Sequence, residues 1–259
     1  MEDSDLETLL ARVASGDLDP EAAADRLRGV GRVGDVARVD TRQGERTGIP
    51  EVVEAERKTT EDLRGIAREL LAGTGLAILA GVDEDARAAL TDLDAAADAE
   101  WFDRSRTLVL HGPDYERPTA PGTVGVVTAG TSDVEVAEQA VVLATEMGCA
   151  VETLYDVGVS GIRRLLGELD TLAECDVVVV AAGREGALAT VVAGLVDAPV
   201  IGLPVGTGTG YGTGGAGEAA LLGMLQSCSV LSVVNVDAGF VAGGQAGLVA
   251  RAVGSAREN

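Results

Sequence analysis

The sequence predicts an α/β protein: a C-terminal three-layer α/β/α domain on a parallel sheet, preceded by a smaller α+β region. Three observations carry this. From residue 123 onward, five short runs rich in Val, Ile, Leu and Ala alternate with helical stretches, the pattern of parallel strands covered on both faces. Aromatic residues make up only 2% of the chain while glycine occurs 35 times, so the core is built from small aliphatic side chains. The segment 112–122, "GPDYERPTAPG", holds three prolines and no periodicity, which reads as a linker. The expected division is therefore 1–119 and 120–259.

In chain order, residues 5–15 and 19–29 read as short amphipathic helices, the second opened by Asp19 as N-cap with Pro20 at the first helical position. Residues 30–59 are rich in glycine and charge. A helix is expected over 60–72, a strand at "GLAILA", an acidic helix over 83–100 and a strand at "TLVLHG". In the C-terminal half the expected strands are "TVGVVTA", "AVETLYD", "DVVVVAA", "PVIGLPV" and "SVLSVVNV". Helices are expected near 133–147, 160–173, 185–196, 217–226 and 238–252.

Charge narrows the function classes. The net charge is −22, with acidic excess in both halves, which disfavours nucleic acid or an anionic membrane as partner. It suits a protein kept hydrated in a salt-rich cytoplasm. Lys58 is the sole lysine beside 19 arginines. No apolar run approaches the roughly 18 residues of a membrane span, and the acidic start "MEDSDLETLL" does not resemble a signal peptide. The expected location is cytoplasmic. Cys149, Cys175 and Cys228 show no zinc-site or disulfide spacing, and the one histidine, His111, lies outside the C-terminal half. No metal site is expected.

Ligands in a parallel sheet gather at the carboxyl ends of the strands, and the sequence places its motifs there. "TAGTSD" follows the first C-terminal strand: Gly130 allows close approach, and Thr131, Ser132 and Asp133 lead into a helix, as a phosphate site or as plain N-capping. "AAGREGAL" follows the third, with Gly183 and with Glu185 entering a helix, either as a general base or as an ordinary acidic first-turn residue. "PVGTGTGYGTGGAG" carries seven glycines in fourteen residues, a ligand-covering loop or a flexible connection, without a P-loop ending. Cys228 stands in the apolar stretch "MLQSCSVLSVVNVDAGF", as core filler or as nucleophile.

In order and content these motifs resemble the LarB family, whose C-terminal domain is PurE-like and flavodoxin-like. Beside the motifs above, the resemblance rests on an N-terminal segment with Arg46, Gly48, Pro50, Glu51, Val52, Lys58 and Thr59, and on "VVNVDAGF" with Asn235. Glycine is expected where Arg57 stands, and histidine where Arg163 stands. The resemblance implies carboxylation of nicotinic acid adenine dinucleotide (deamido-NAD) at pyridine C5 by CO2. Hydrolysis of the phosphoanhydride then releases AMP, in the assembly of a nickel-pincer nucleotide. It implies Cys228 as nucleophile, no tightly bound cofactor, CO2 as co-substrate with Mg2+ left open, and a homo-oligomer, an octamer. Glu185, with Asp133 as alternative, is expected to take the C5 proton. Arg46, Glu51, Lys58, Gly130, Thr131, Ser132, Gly183 and Asn235 are expected to bind the dinucleotide. The alternatives are a carboxyaminoimidazole ribonucleotide mutase and a non-catalytic nucleotide-binding regulator.

Overall fold

A computed structural model describes residues 3–206 and 215–258. The chain divides into two compact units, Met1–Trp101 with Arg106–Tyr115, and Phe102–Ser105 with Glu116–Asn259. The division after Tyr115 falls inside the proline-rich segment 112–122.

The N-terminal unit begins with helices α1 (Asp3–Ser15) and α2 (Pro20–Leu27), followed by the antiparallel pair β1 (Val30–Val33) and β2 (Ala37–Asp40). After the short α3 (Gln43–Thr47) come β3 (Val52–Glu54), α4 (Thr60–Thr74), β4 (Leu76–Ala80), α5 (Glu84–Thr91), β5 (Asp98–Phe102) and β6 (Thr107–His111). These four strands form a sheet in the order β3-β4-β6-β5. β3 and β4 are parallel and β4 and β6 antiparallel. Thr59 and Asp62 form a capping box at the start of α4, a device that contributes about 1 kcal/mol. Its Leu63, Ile66, Ala67, Leu70 and Leu71 recur at helical spacing and are buried against β4 and β6 side chains.

One expectation is corrected here. The helix anticipated over 83–100 is only Glu84–Thr91, and Asp98–Phe102 is a strand. The acidic composition masked the alternation in "DAEWF", whose residues sit beside β6 and are half-buried from Ala99 onward. Within it the Arg87 guanidinium lies 4.5 Å above the Trp101 ring. The strands β1, β2 and β3, three or four residues each and interrupted by glycine or charge, had no legible period in the stretch 30–59.

In the C-terminal unit β7 (Thr123–Thr128) is followed by a 3-10 turn (Thr131–Asp133), α6 (Val134–Glu146) and β8 (Ala150–Leu154). Next come α7 (Arg163–Leu166), α8 (Leu169–Ala173), β9 (Val177–Ala182), α9 (Ala187–Ala193) and β10 (Val200–Pro204). The unit ends with α10 (Glu218–Leu225), β11 (Ser232–Val233) and α11 (Gly239–Glu258). All four strand pairings are parallel, in the order β11-β10-β9-β7-β8. This is the flavodoxin-like strand order, reversing between β7 and β9. Val177, Val179 and Ala181 pack into one core layer and Val178, Val180 and Ala182 into the other. Such complete burial contributes roughly 1.5–3 kcal/mol per large aliphatic side chain.

One face is covered by α6 and α11, which touch through small residues. A Cβ on Gly243 would stand 2.6 Å from Ala140 Cα, so the backbones meet where a side chain would intervene. At its far end α11 is fastened to the sheet. The Arg257 guanidinium donates to both oxygens of the buried Asp176 at 2.7 and 2.9 Å, and Asp176 also accepts from the Thr123 amide at 2.8 Å. The helix expected over 160–173 is broken into α7 and α8 at Gly167. The last strand, expected over "SVLSVVNV", is only Ser232–Val233.

Candidate active site

The reversal of strand order opens a crevice between the loops that follow β7 and β9, and Asp133 fills it. Its side chain is 4% exposed. One oxygen accepts from the Gly130 amide at 2.8 Å, and the Gly183 amide and Ser132 hydroxyl also stabilise it. A Cβ on Gly183 would lie 3.5 Å from the other carboxylate oxygen, so the motif glycine after β9 leaves room for the acid of the motif after β7. Burial pushes the Asp133 carboxyl above the usual carboxylate range, against those hydrogen bonds, which lower it. Thr131 and Ser132 are exposed beside it.

The same edge is closed from the other side by Asp237. This residue accepts from the Gly206 amide at 2.7 Å, donates its own amide to Pro204 O at 2.9 Å, and holds a left-handed backbone with φ 57°. Sequence reasoning quoted Asp237 within "VVNVDAGF" yet selected Asn235. Asn235 is exposed, and its side-chain oxygen accepts from the Val236 amide at 2.9 Å. The signal for Asp237 was available: an acid after a strand and before a glycine. Residues 207–214, most of the glycine-rich loop, lie outside the described residues.

Glu185 departs from its expected setting. It sits in the turn between β9 and α9, not within the helix, which starts at Ala187 after Gly186 with φ 66°. Its carbonyl abuts Gly223 of α10, where a side chain would collide. Its carboxylate is exposed and has no hydrogen-bond or ion-pair partner among the described residues.

Of the two readings of Cys228, core filler does not hold: the side chain is exposed, in spite of the apolar composition around it. Apolar residues close to it in sequence share that exposure, Leu225 and Val230, the last at 95%. The residues on either side of Cys228 are anchored on α9. The Thr190 and Ser227 hydroxyls are 2.9 Å apart, and Ser229 Oγ would lie 3.6 Å from a Cβ on Gly194. Gly194 closes α9, and the chain there returns to the amino end of β10, while Ser232 pairs with Ile201 near that same end. Cys228 therefore lies toward the amino side of the sheet. Asp133 lies at the carboxyl side, offset by much of the length of α9, about 10 Å for its seven residues. Cys149 and Cys175 are buried, and their thiols contact the carbonyls of Gly247 and Thr171. Burial raises both; at Cys149 the Arg251 charge opposes it, whereas carboxylates around Cys175 add to it and that thiol reaches about 11.

In the N-terminal unit Arg46 and Lys58 meet different groups. Arg46 donates to Asp40 at 2.7 Å and holds that carboxyl below its usual range. Glu51, half-buried, is raised by desolvation and by Asp40, with Arg46 opposing. Lys58 instead lines a cavity with Arg57 and Arg106, its ammonium donating to Glu54 O. One group among the described residues has metal-ligating geometry: Asp98, Glu100 and His111, with ligand atoms within 4.8 Å of one another. His111 there stacks on Tyr115 with centroids 4.9 Å apart.

Comparison with known proteins fits this division of the chain. The AIR carboxylase family matches residues 123–259, and the LarB/PurE-like N-terminal domain matches residues 31–112. The chain belongs to the LarB family. An uncharacterized protein of Methanocaldococcus jannaschii is 39% identical over 222 residues, 83% of this chain and 84% of that one. LarB-family membership makes the chain a protein of the PurE/LarB carboxylase–mutase class. Among the described residues no helix is long and apolar enough to cross a membrane.

Proposed function

We propose that this LarB-family protein carboxylates deamido-NAD at pyridine C5 and hydrolyses its phosphoanhydride, releasing AMP. The observation that carries the reading is the buried Asp133 at the switch-point crevice, between two glycine amides and beside exposed Thr131 and Ser132 hydroxyls. A carboxylate with a raised proton affinity suits proton abstraction. The hydroxyls and loop amides suit a phosphate.

In this mechanism the Cys228 thiolate adds to C4 of the cationic ring, breaking a ring π bond and leaving a 1,4-dihydropyridine. Electron density from the ring nitrogen makes C5 nucleophilic, and C5 bonds to CO2. Asp133 removes the C5 proton, and the electron pair left behind expels the thiolate and restores aromaticity. Glu185, exposed in the turn before α9, is the second candidate for that proton. The roles of Arg46, Glu51 and Asn235 are in binding the dinucleotide.

C4 and C5 are bonded neighbours, so nucleophile and base must converge on one ring, and the offset between Cys228 and Asp133 within one chain favours their meeting across copies. We therefore assign Cys228 to the crevice of a neighbouring copy in a homo-oligomer. Its exposure and its exposed apolar neighbours favour this arrangement. The test supplies deamido-NAD and labelled bicarbonate to the protein in molar KCl. Carboxylated mononucleotide and AMP in equal amounts support the reading. Interconversion of aminoimidazole ribonucleotide carboxylates would replace it with the mutase, and inertness toward both with a binding protein.

A further inference from the structure

The N-terminal unit contains a cavity of about 300 Å³ bordered by Arg57, Lys58 and Arg106, together with Glu56, Thr60 and Asp83. We propose that it is a binding site for a sugar phosphate of the mononucleotide class, formed by this unit alone. Its location follows from the fold. β3, α4 and β4 make a parallel strand–helix–strand unit, so the carboxyl ends of β3 and β4 share one edge, the edge at which such units bind ligands. Residues 55–58 follow β3, Gly81 and Asp83 follow β4, and both segments line the cavity.

The charges there are arranged for an anion. Asp83 is committed to capping α5, accepting from the Ala86 amide at 2.7 Å. That leaves three cationic side chains and one uncommitted carboxylate, Glu56, around the cavity, in a protein whose net charge is −22. Two of the cations occupy an unfavourable backbone conformation. Arg57 has φ 64° and Arg106 has φ 49°, positions at which glycine would be unstrained and a long side chain costs energy. Two such arginines from separate loops face one cavity, which is explained if their guanidiniums are needed there. Neither guanidinium has a partner among the described residues.

Size and lining define the ligand. The volume is at the lower end of the roughly 300–1,000 Å³ typical of small-molecule pockets, room for one phosphorylated sugar and not for a dinucleotide. Leu63, Ala55 and Ala86 give an apolar wall, Glu56 can accept from sugar hydroxyls, and the three cations suit the double charge of a phosphate ester. The inference stands whether or not carboxylation is the reaction.

The backbone itself supplies the decisive variants. Arg57→Gly and Arg106→Gly relieve the left-handed strain, so they are expected to keep or raise the melting temperature while removing a cation. Titration calorimetry at fixed KCl would compare AMP, ribose 5-phosphate, inorganic phosphate and adenosine on the full chain. AMP and ribose 5-phosphate are expected to bind, adenosine not to bind, and each glycine variant to weaken AMP at least about tenfold. Cys228→Ser and Asp133→Asn are expected to leave this binding unchanged, which separates it from failure of the proposed reaction. Equal binding of AMP by wild type and both glycine variants would overturn the proposal. So would equal binding of adenosine and AMP, or loss of AMP binding in Cys228→Ser with retention in Arg57→Gly.

Discussion

The two units expose the carboxyl ends of parallel strands in opposite electrostatic senses. In the C-terminal unit the crevice between β7 and β9 is occupied by a buried acid, Asp133, supported by backbone amides. In the N-terminal unit the edge of β3 and β4 is ringed by Arg57, Lys58 and Arg106. One geometry thus presents two electrostatic environments, and the difference lies in burial. An acid withdrawn from water holds its proton more tightly and can exchange it, whereas exposed guanidiniums keep their charge at any working pH and can only bind.

This contrast is open to test, beginning with the largest effect. Cys228→Ser is expected to abolish carboxylation, while Cys149→Ser and Cys175→Ser leave it within about twofold, because nucleophilic attack has no substitute group. Refolding a mixture of Cys228→Ser and Asp133→Asn chains should restore measurable turnover if the two residues meet across copies. A mixture as inactive as its components would sink that arrangement. Next, Asp133→Asn is expected to lower kcat by about 10²–10⁴. In the wild type, activity should fall as pH drops through a value above the ordinary carboxylate range, because the raised Asp133 must be deprotonated to act. That acidic limb should vanish in the variant.

On the cationic side, Lys58→Ala is expected to weaken AMP binding about tenfold with little change in kcat. A kcat defect of the same size would place Lys58 in the chemistry. Alkylation at pH 8 should label Cys228 first. Cys175, with its thiol near 11, presents only about a thousandth of its sulfur as thiolate. The smallest effect on turnover is expected from Gly243→Val, which should cost about 1–3 kcal/mol of stability by forcing α11 from α6.

Legibility in the sequence followed the same division. β7, β9 and β10 are buried along their whole length or nearly so, so each writes itself as an aliphatic run with its motif directly behind it. The motifs that carry Asp133 and Gly183 were therefore legible one by one, and the fold sets the two residues side by side. β1 to β3 are too short to establish a period, and β5 hides its alternation among acids. Glu185 was identified by type but misjudged in setting, and Cys228 was left between two readings. The turn before α9 is shaped by Gly186 and by Gly223 of another helix, and the exposure of Cys228 reflects how early α10 ends at Leu225. Neither cause is local to the residue, and neither is Arg106, which joins Arg57 only when β6 is laid beside β4.

Trp101 is the only tryptophan in the chain and belongs to the N-terminal unit, under the Arg87 guanidinium. Intrinsic indole fluorescence is consequently a one-sided reporter. A thermal or denaturant transition followed at tryptophan wavelengths reports on the β5–β6 region of the N-terminal unit. Far-ultraviolet dichroism weighs both units, so the gap between the two curves measures how independently they melt.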